Sequence, residues 1–324
     1  MNDNPKIKHL VLAGGGVCGF SIYGALKASH EEGFWNMANI ESIYGTSVGA
    51  IFATIISLKY DWQTVDDYLI KRPWQTVFKF DMYSIINSIQ NRGIFTIKTI
   101  EEVFLPLLKG KDIDIGITMA SLYELTGIEL HFYTTVLETF DLVDISYKTH
   151  PEWKVVDAVY CSCSLPIVFA PFVYVSNLPQ CNSTWYFDGG VLCNYPIHQC
   201  LADHPNVDEI LGLSQNVYRA EEPANDLSLF DYLFMIINRM IKRVDMVTEL
   251  PGIKEIKIHS SGISIYELYL AASTADERIR LIELGAQNWE IFRASVPLLK
   301  EEEEPLLAET TSVSIDSKEE EQKI

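Results

Sequence analysis

Short apolar runs alternate along most of this chain with stretches whose apolar residues recur every three or four positions. The runs at Lys8 to Leu12, Glu41 to Tyr44, Trp185 to Phe187 and Glu209 to Ser214 predict short buried strands. Glu129 to Val136 alternates as a strand does, and Thr139 to Ser146 is expected to pair with it. Helical spacing covers Phe20 to Glu32, stopped at Gly33, then Val48 to Leu58, Thr96 to Leu108 and Val155 to Ser162. It returns at Phe230 to Val244 and at Asp276 to Ala294. Repeated strand–helix alternation predicts an α/β fold, a sandwich around a largely parallel central sheet.

No repeat and no Pro/Gly/Ser-rich linker breaks this pattern before Lys300, so residues 1–300 are expected to form one domain. From Glu301 the periodicity stops. EEEEPLLAETTSVSIDSKEEEQKI holds nine acids, two lysines and no aromatic residue, the composition of a disordered acidic tail over 301–324.

Composition narrows the function classes. The 324 residues are 48% hydrophobic with a net charge of -19. That charge repels phosphate polymers, so nucleic acid is not an expected partner. MNDNPKIKHL lacks the apolar core of a secretory signal, and the longest apolar run, Val48 to Leu58, is too short to span a bilayer. The six cysteines (Cys18, Cys161, Cys163, Cys181, Cys193 and Cys200) therefore read as reduced thiols of a cytoplasmic protein.

Candidate chemistry gathers at three glycine-bearing turns. Gly14-Gly15-Gly16-Val17-Cys18-Gly19 lies between a strand and a helix, where consecutive N–H groups and the helix N-terminus suit a phosphate or an oxyanion. A dinucleotide-binding oxidoreductase needs an acid near the end of the second strand, and Glu41 stands at the start of that strand instead. Gly45-Thr46-Ser47-Val48-Gly49 places G-x-S-x-G between a strand and a helix, presenting the Ser47 hydroxyl beside the Val48 amide. A plain helix N-cap serine is the structural alternative. Asp188-Gly189-Gly190 follows a Trp-Tyr-Phe strand; it suits a simple turn, or a base approaching Ser47. Together the three supply the nucleophile, base and oxyanion site that a serine hydrolase requires.

The set and its order resemble the patatin-like phospholipase family. GGGVCG at Gly14 to Gly19, GTSVG at Gly45 to Gly49 and DGG at Asp188 to Gly190 carry the resemblance. Two further segments are similar to it: SLYELTGIELHFYTT from Ser121 to Thr135, and CSCSLPIVFAPF from Cys161 to Phe172. The likeness runs over roughly residues 8 to 215. It implies a three-layer α/β sandwich and a lipid acyl hydrolase of the phospholipase A or lysophospholipase type. Ser47 would be the nucleophile, Asp188 the base, and Gly14, Gly15 and Gly16, with Val48, the oxyanion hole. The implied substrate is a phospholipid or other acyl lipid met by peripheral membrane contact, and the chemistry requires neither cofactor nor metal. The sequence departs from the family at Cys18, where Arg or Lys is usual, and at Ala13, where Asp is often found. The alternative that Cys18 raises is a catalytically impaired lipid- or partner-binding protein on the same scaffold.

Other chemistry has weaker support. His198, His204 and His259 follow Asp188 and would satisfy the order of a Ser–acid–His triad, but Ser47 follows an early strand, which favours a dyad. Cys161-x-Cys163, or Cys193 with His198 and Cys200, lacks paired C-x-x-C zinc spacing. Phe230, Leu233, Phe234, Ile237, Met240, Ile241 and Val244 form one helical stripe, started by Ser228 and Asp231 in capping-box spacing and ending near Arg239, Lys242 and Arg243. That stripe reads as a core-packing helix, with an interfacial lipid-docking helix as the alternative.

Overall fold

The computed structural model describes residues 6–80, 88–175, 183–217, 229–244, 250, 252–260 and 264–295. The expected tail, Cys181 and Ser228 lie outside the described residues.

Ten strands are described: β1 His9–Leu12, β2 Ser42–Thr46, β3 Gly93–Phe95, β4 Glu129–Val136, β5 Leu142–Ile145, β6 Ile167–Phe169, β7 Phe172–Tyr174, β8 Thr184–Asp188, β9 Ile210–Val217 and β10 Lys254–Ser260. The helices are α1 Cys18–Glu31, α2 Val48–Ser57, α3 Trp62–Lys71, α4 Ile97–Lys109, α5 Met119–Thr126, α6 Val155–Cys163, α7 Ile197–Asp203, α8 Leu229–Val244, α9 Ile265–Ser273 and α10 Ala275–Ser295.

The main sheet runs β10-β9-β1-β2-β4-β8-β7, with β5 also paired to β4. From β10 to β4 every pairing is parallel, as the strand–helix alternation predicts. The β8 pairings with β4 and β7 are antiparallel, as is β4 with β5. The two short strands β3 and β6 form a separate parallel pair. Successive side chains on each strand serve opposite faces. Leu10, Leu12, Ile43, Leu130 and Phe132 enter the large core beneath α1 and α2. Val11, Ala13, Tyr44 and Tyr133 enter a second core with Ile197 and Cys200 of α7. The result is a mixed α/β fold with a mostly parallel sheet between two apolar layers.

The C-terminal elements join the larger layer. Ile256, Ile258, Ala272 and Trp289 are buried in it. Ser21 in α1 donates to Leu281 O at 2.7 Å, and the buried Arg278 guanidinium donates to Ala271 O and Ile70 O, each at 2.6 Å. These bonds satisfy carbonyls that packing has cut off from water.

Some boundaries differ from expectation for visible reasons. Helix α1 begins at Cys18 rather than Phe20, because Cys18 and Gly19 N–H already donate to Gly15 O and Gly16 O. Strand β5 starts at Leu142 rather than Thr139: Phe140, at φ 60°, belongs to the turn that follows Val136. In α8, Phe234 and Ile241 are buried against Phe95, Leu165 and Val168, the core-packing role expected of the stripe, while Met240 is exposed.

Candidate active site

The C-terminal ends of β1, β2 and β8 converge. The glycine loop leaves β1, Ser47 sits between β2 and α2, and Asp188 closes β8. Ser47 has φ 54° and ψ -123°, a backbone state few non-glycine residues adopt. The flanking glycines make this turn sterically feasible. A Cβ on Gly45 would stand 2.6 Å from the Gly49 carbonyl carbon, and one on Gly49 would stand 2.3 Å from Leu12 O. The turn projects Ser47 at the positive end of α2.

Ser47 Oγ donates to Asp188 Oδ2 at 2.7 Å. The other carboxylate oxygen, Oδ1, accepts from Gly190 N–H at 2.7 Å, which uses the Gly189-Gly190 turn to fix the plane of the carboxylate. Asp188 is only 2% exposed. Burial raises its pKa to about 7, against the opposing pull of its hydrogen bonds from Ser47 and Gly190.

The glycine loop lies beside this pair. A Cβ on Gly14 would stand 3.2 Å from Ser47 Cβ. Its amide, however, already donates to Asn194 O at 2.9 Å. Gly14 therefore anchors the loop and has no N–H left for an oxyanion, which corrects its expected place among the donors. No protein acceptor among the described residues takes the Gly15 or Gly16 N–H. Their φ values of 147° and 58° turn the chain between β1 and α1. Val48 is the first residue of α2, so its N–H has no intrahelical acceptor. Gly19 lies in the first turn of α1. Cys18 is 4% exposed, and its Sγ accepts from Gln215 Nε2 at 3.4 Å.

An apolar cavity of about 140 Å³ opens from Ser47, Val48 and Gly16. Phe20, Ile51 and Phe52 line one part of it, and Leu69, Trp74 and Ala272 another. Its wall is almost wholly hydrocarbon and aromatic.

Of the other candidate groups, Cys163 lines the cavity with Ser47 and lies within hydrogen-bond reach of it, and the histidines stay apart. His204 stacks on His9, the first residue of β1, with ring centroids 3.7 Å apart, at the far end of that strand from the glycine loop. His198 is exposed on α7, and His259 is paired in register with Asn216. Cys161, Cys163, Cys193 and Cys200 are buried and form no disulfide among the described residues. Among the described residues no group of three or more His, Cys, Asp and Glu is placed to hold a metal ion. None of the described helices is long and apolar enough to cross a membrane.

Sequence reading missed the side chains that support the turn. Ser162 Oγ accepts from Ser47 N–H at 2.9 Å, and Thr46 Oγ1 donates to Cys193 O at 2.9 Å. Both contacts join residues more than a hundred positions apart; Ser162 lies in the CSCSLPIVFAPF segment, but nothing local there names Ser47 as its partner.

Comparison with known proteins bears on this geometry. A family model described as patatin-like phospholipase matches residues 10–201, more than half of the chain. An uncharacterized protein of Acanthamoeba polyphaga mimivirus is 27% identical over 219 residues, which cover 66% of this chain and 69% of that protein. The probable lipid hydrolase 463L of Invertebrate iridescent virus 6 is 27% identical over 201 residues, covering 61% of this chain and 64% of that protein. The match therefore spans just under two thirds of the latter relative. The crystal structure of VipD from Legionella pneumophila aligns with a TM-score of 0.54 at 16% identity, covering 90% of this chain and 67% of VipD. That likeness is one of fold.

Proposed function

The chain belongs to the patatin-like phospholipase family, and from that premise we propose that it is a lipid acyl hydrolase cleaving carboxylic esters of phospholipids or related acyl lipids through a Ser47–Asp188 dyad. One observation carries the reading: the Ser47 hydroxyl, in the wall of an apolar cavity, donates to the buried Asp188 carboxylate at 2.7 Å. The probable lipid hydrolase 463L, a relative at 27% identity, supports the substrate class.

In the proposed reaction the acyl chain lies in the cavity and brings its ester carbonyl to Ser47 Oγ. Asp188 takes the hydroxyl proton as Oγ bonds to the carbonyl carbon. An Asp of ordinary pKa is a weak base for a hydroxyl; burial raises this one toward neutral pH, where proton transfer and correct ionisation are best balanced. The tetrahedral oxyanion is met by the Gly15, Gly16 and Val48 amides. One such donor lowers the barrier by about 3 kcal/mol. Asp188 returns its proton to the departing alcohol oxygen, leaving an acyl-Ser47 ester. Water, deprotonated by Asp188, then attacks that ester; the fatty acid leaves and Ser47 recovers its proton. Cys18 lies buried at the start of α1, and this scheme draws its oxyanion donors from backbone amides.

A fluorophosphonate probe tests the reading, since it bonds only to an activated serine. Labelling of the wild type, absent in Ser47→Ala and Asp188→Asn, together with release of fatty acid from a phospholipid, is the expected result. Saturable lipid binding without labelling or turnover, unchanged in Ser47→Ala, supports the non-catalytic alternative instead.

A further inference from the structure

The Ser47 backbone conformation is unusual enough to need support from outside its own turn. Much of that support comes from the C-terminal end of α6, and it reaches both members of the dyad. Ser162 is fully buried and has one proton to give. It donates that proton to Tyr133 O at 2.7 Å. Its remaining acceptor capacity faces Ser47 N–H at 2.9 Å. The direction of this hydroxyl is thereby fixed: β4 takes the proton, and the nucleophile's amide takes the lone pair. Two residues on, Ser164 O accepts Asp188 N–H at 3.1 Å. Thr134, which follows Tyr133 on β4, donates to Phe187 O at 2.9 Å and so holds the strand that ends at Asp188. The backbone amides of Ser47 and Asp188 are thus tied to residues only two apart on one helix end.

We propose that Ser162 is a positioning residue for the dyad, its hydroxyl setting the backbone of Ser47 so that Oγ faces both Asp188 and the substrate carbonyl. The proposal deepens the Ser47–Asp188 reading and rests on it. Without the Ser162 oxygen, Ser47 N–H loses its acceptor and the strained turn loses one of its restraints. A serine hydroxyl displaced by a fraction of an ångström still binds substrate in the same cavity, but it reacts more slowly.

The test uses the full chain and a monomeric short-chain carboxylic ester, with wild type, Ser162→Ala, Ser162→Cys, Ser162→Thr and a control, Ser57→Ala. Ser57 is an equally buried serine that donates to Thr54 O within α2, away from the dyad. Ser162→Ala is expected to lower kcat about 10- to 100-fold with KM within about twofold. Ser162→Thr keeps the hydroxyl and is expected to recover most of kcat. Ser57→Ala is expected to lower thermal stability with kcat unchanged. If Ser162→Ala does not fold, Ser162→Cys carries the test, being close in volume and a poorer acceptor. A wild-type kcat in the Ala or Cys variant, or a rise in KM alone, overturns the proposal. A wild type that neither turns over ester nor reacts with a fluorophosphonate overturns the dyad reading itself, before any substitution is compared.

Discussion

Ser47 Oγ and Asp188 Oδ2 stand 2.7 Å apart although 141 positions separate them in the chain, and the bond is direct, with no histidine between. A direct serine–carboxylate bond transfers the whole burden of base catalysis to the carboxylate. The environment of Asp188 then determines when the site is competent.

The first consequence is a pH profile. In the proposed role of base Asp188 must be ionised, and burial raises its pKa to about 7. The value of kcat/KM is therefore expected to rise about tenfold per pH unit below that point and to level off above it, since this parameter reports the free enzyme. Initial rates on an ester that does not itself ionise measure the midpoint. A midpoint near 4, the range of an ordinary carboxyl, would falsify the assignment of Asp188 as a desolvated base.

The same shift has a cost in stability. The unfolded chain releases the Asp188 proton near its ordinary value of 3.8, whereas the folded protein holds it until about 7. Stability from this group therefore falls as pH rises from about 4 to about 7, by at most about 1.4 kcal/mol per unit, and is flat above. Asp188→Asn removes that slope. Its carbonyl oxygen can still accept from Gly190 N–H, and its amide can donate to Ser47 Oγ. The variant is expected to be inactive, and its melting temperature relative to wild type is expected to be higher at pH 8 than at pH 5. Equal differences at the two pH values count against the raised pKa.

Much of this site was legible in the sequence because its chemistry sits in short local motifs. Ser47 and Asp188 each follow a readable strand and are flanked by glycines whose absence of a Cβ the turns require, as the Gly49 approach to Leu12 O makes plain. The sheet core was legible for the same reason: β1, the middle of β2 and the first half of β9 are short apolar runs. Strand β10 was not, since Lys254, Glu255 and Lys257 interrupt its apolar positions and it is held by pairing with β9. Helix α9, whose Leu268, Ala271 and Ala272 line the cavity, was missed as well. Gly14 was misassigned as an oxyanion donor because its acceptor, Asn194 O, is supplied from 180 positions away. No local pattern announces such partners.

The cavity sets the third expectation. Ile51, half-buried on α2, lines the cavity that opens at Ser47. An indole there fills space that an acyl chain would occupy and leaves the Ser47 and Asp188 side chains unsubstituted. Ile51→Trp is expected to lower kcat/KM for long-chain esters about tenfold or more relative to short-chain ones, since each buried methylene contributes about 0.8 kcal/mol. A chain-length series of otherwise identical esters checks this. A uniform loss across the series would place the acyl chain elsewhere.

A last prediction concerns the opposite layer, where β4 and β5 bury a charged group far from the reaction. His131 Nδ1 lies 2.8 Å from Asp144 Oδ2, and its Nε2 lies 3.0 Å from Glu129 Oε1. Its ring stacks on Tyr44 with centroids 4.2 Å apart. Burial alone would lower the pKa of His131, but the hydrogen bonds to Asp144 and Glu129 outweigh it and raise the pKa to about 9. Burial likewise raises that of Glu129, but His131 and Lys148 more than reverse it and bring it to about 2. The histidine's contribution is therefore complete below its ordinary value of about 6.5 and is lost as pH climbs through about 9. The contribution of Glu129 is present above about 4.5 and is lost as pH falls through about 2. The cluster is expected to stabilise the fold most between about pH 4.5 and 6.5. His131→Gln keeps a polar side chain there but cannot titrate, so it should flatten the alkaline limb of melting temperature against pH and lower stability most at about pH 6. A mutant curve parallel to wild type from pH 6 to 9.5 would mean that His131 is neutral in the fold, and that Asp144 and Glu129 are held by something other than its charge.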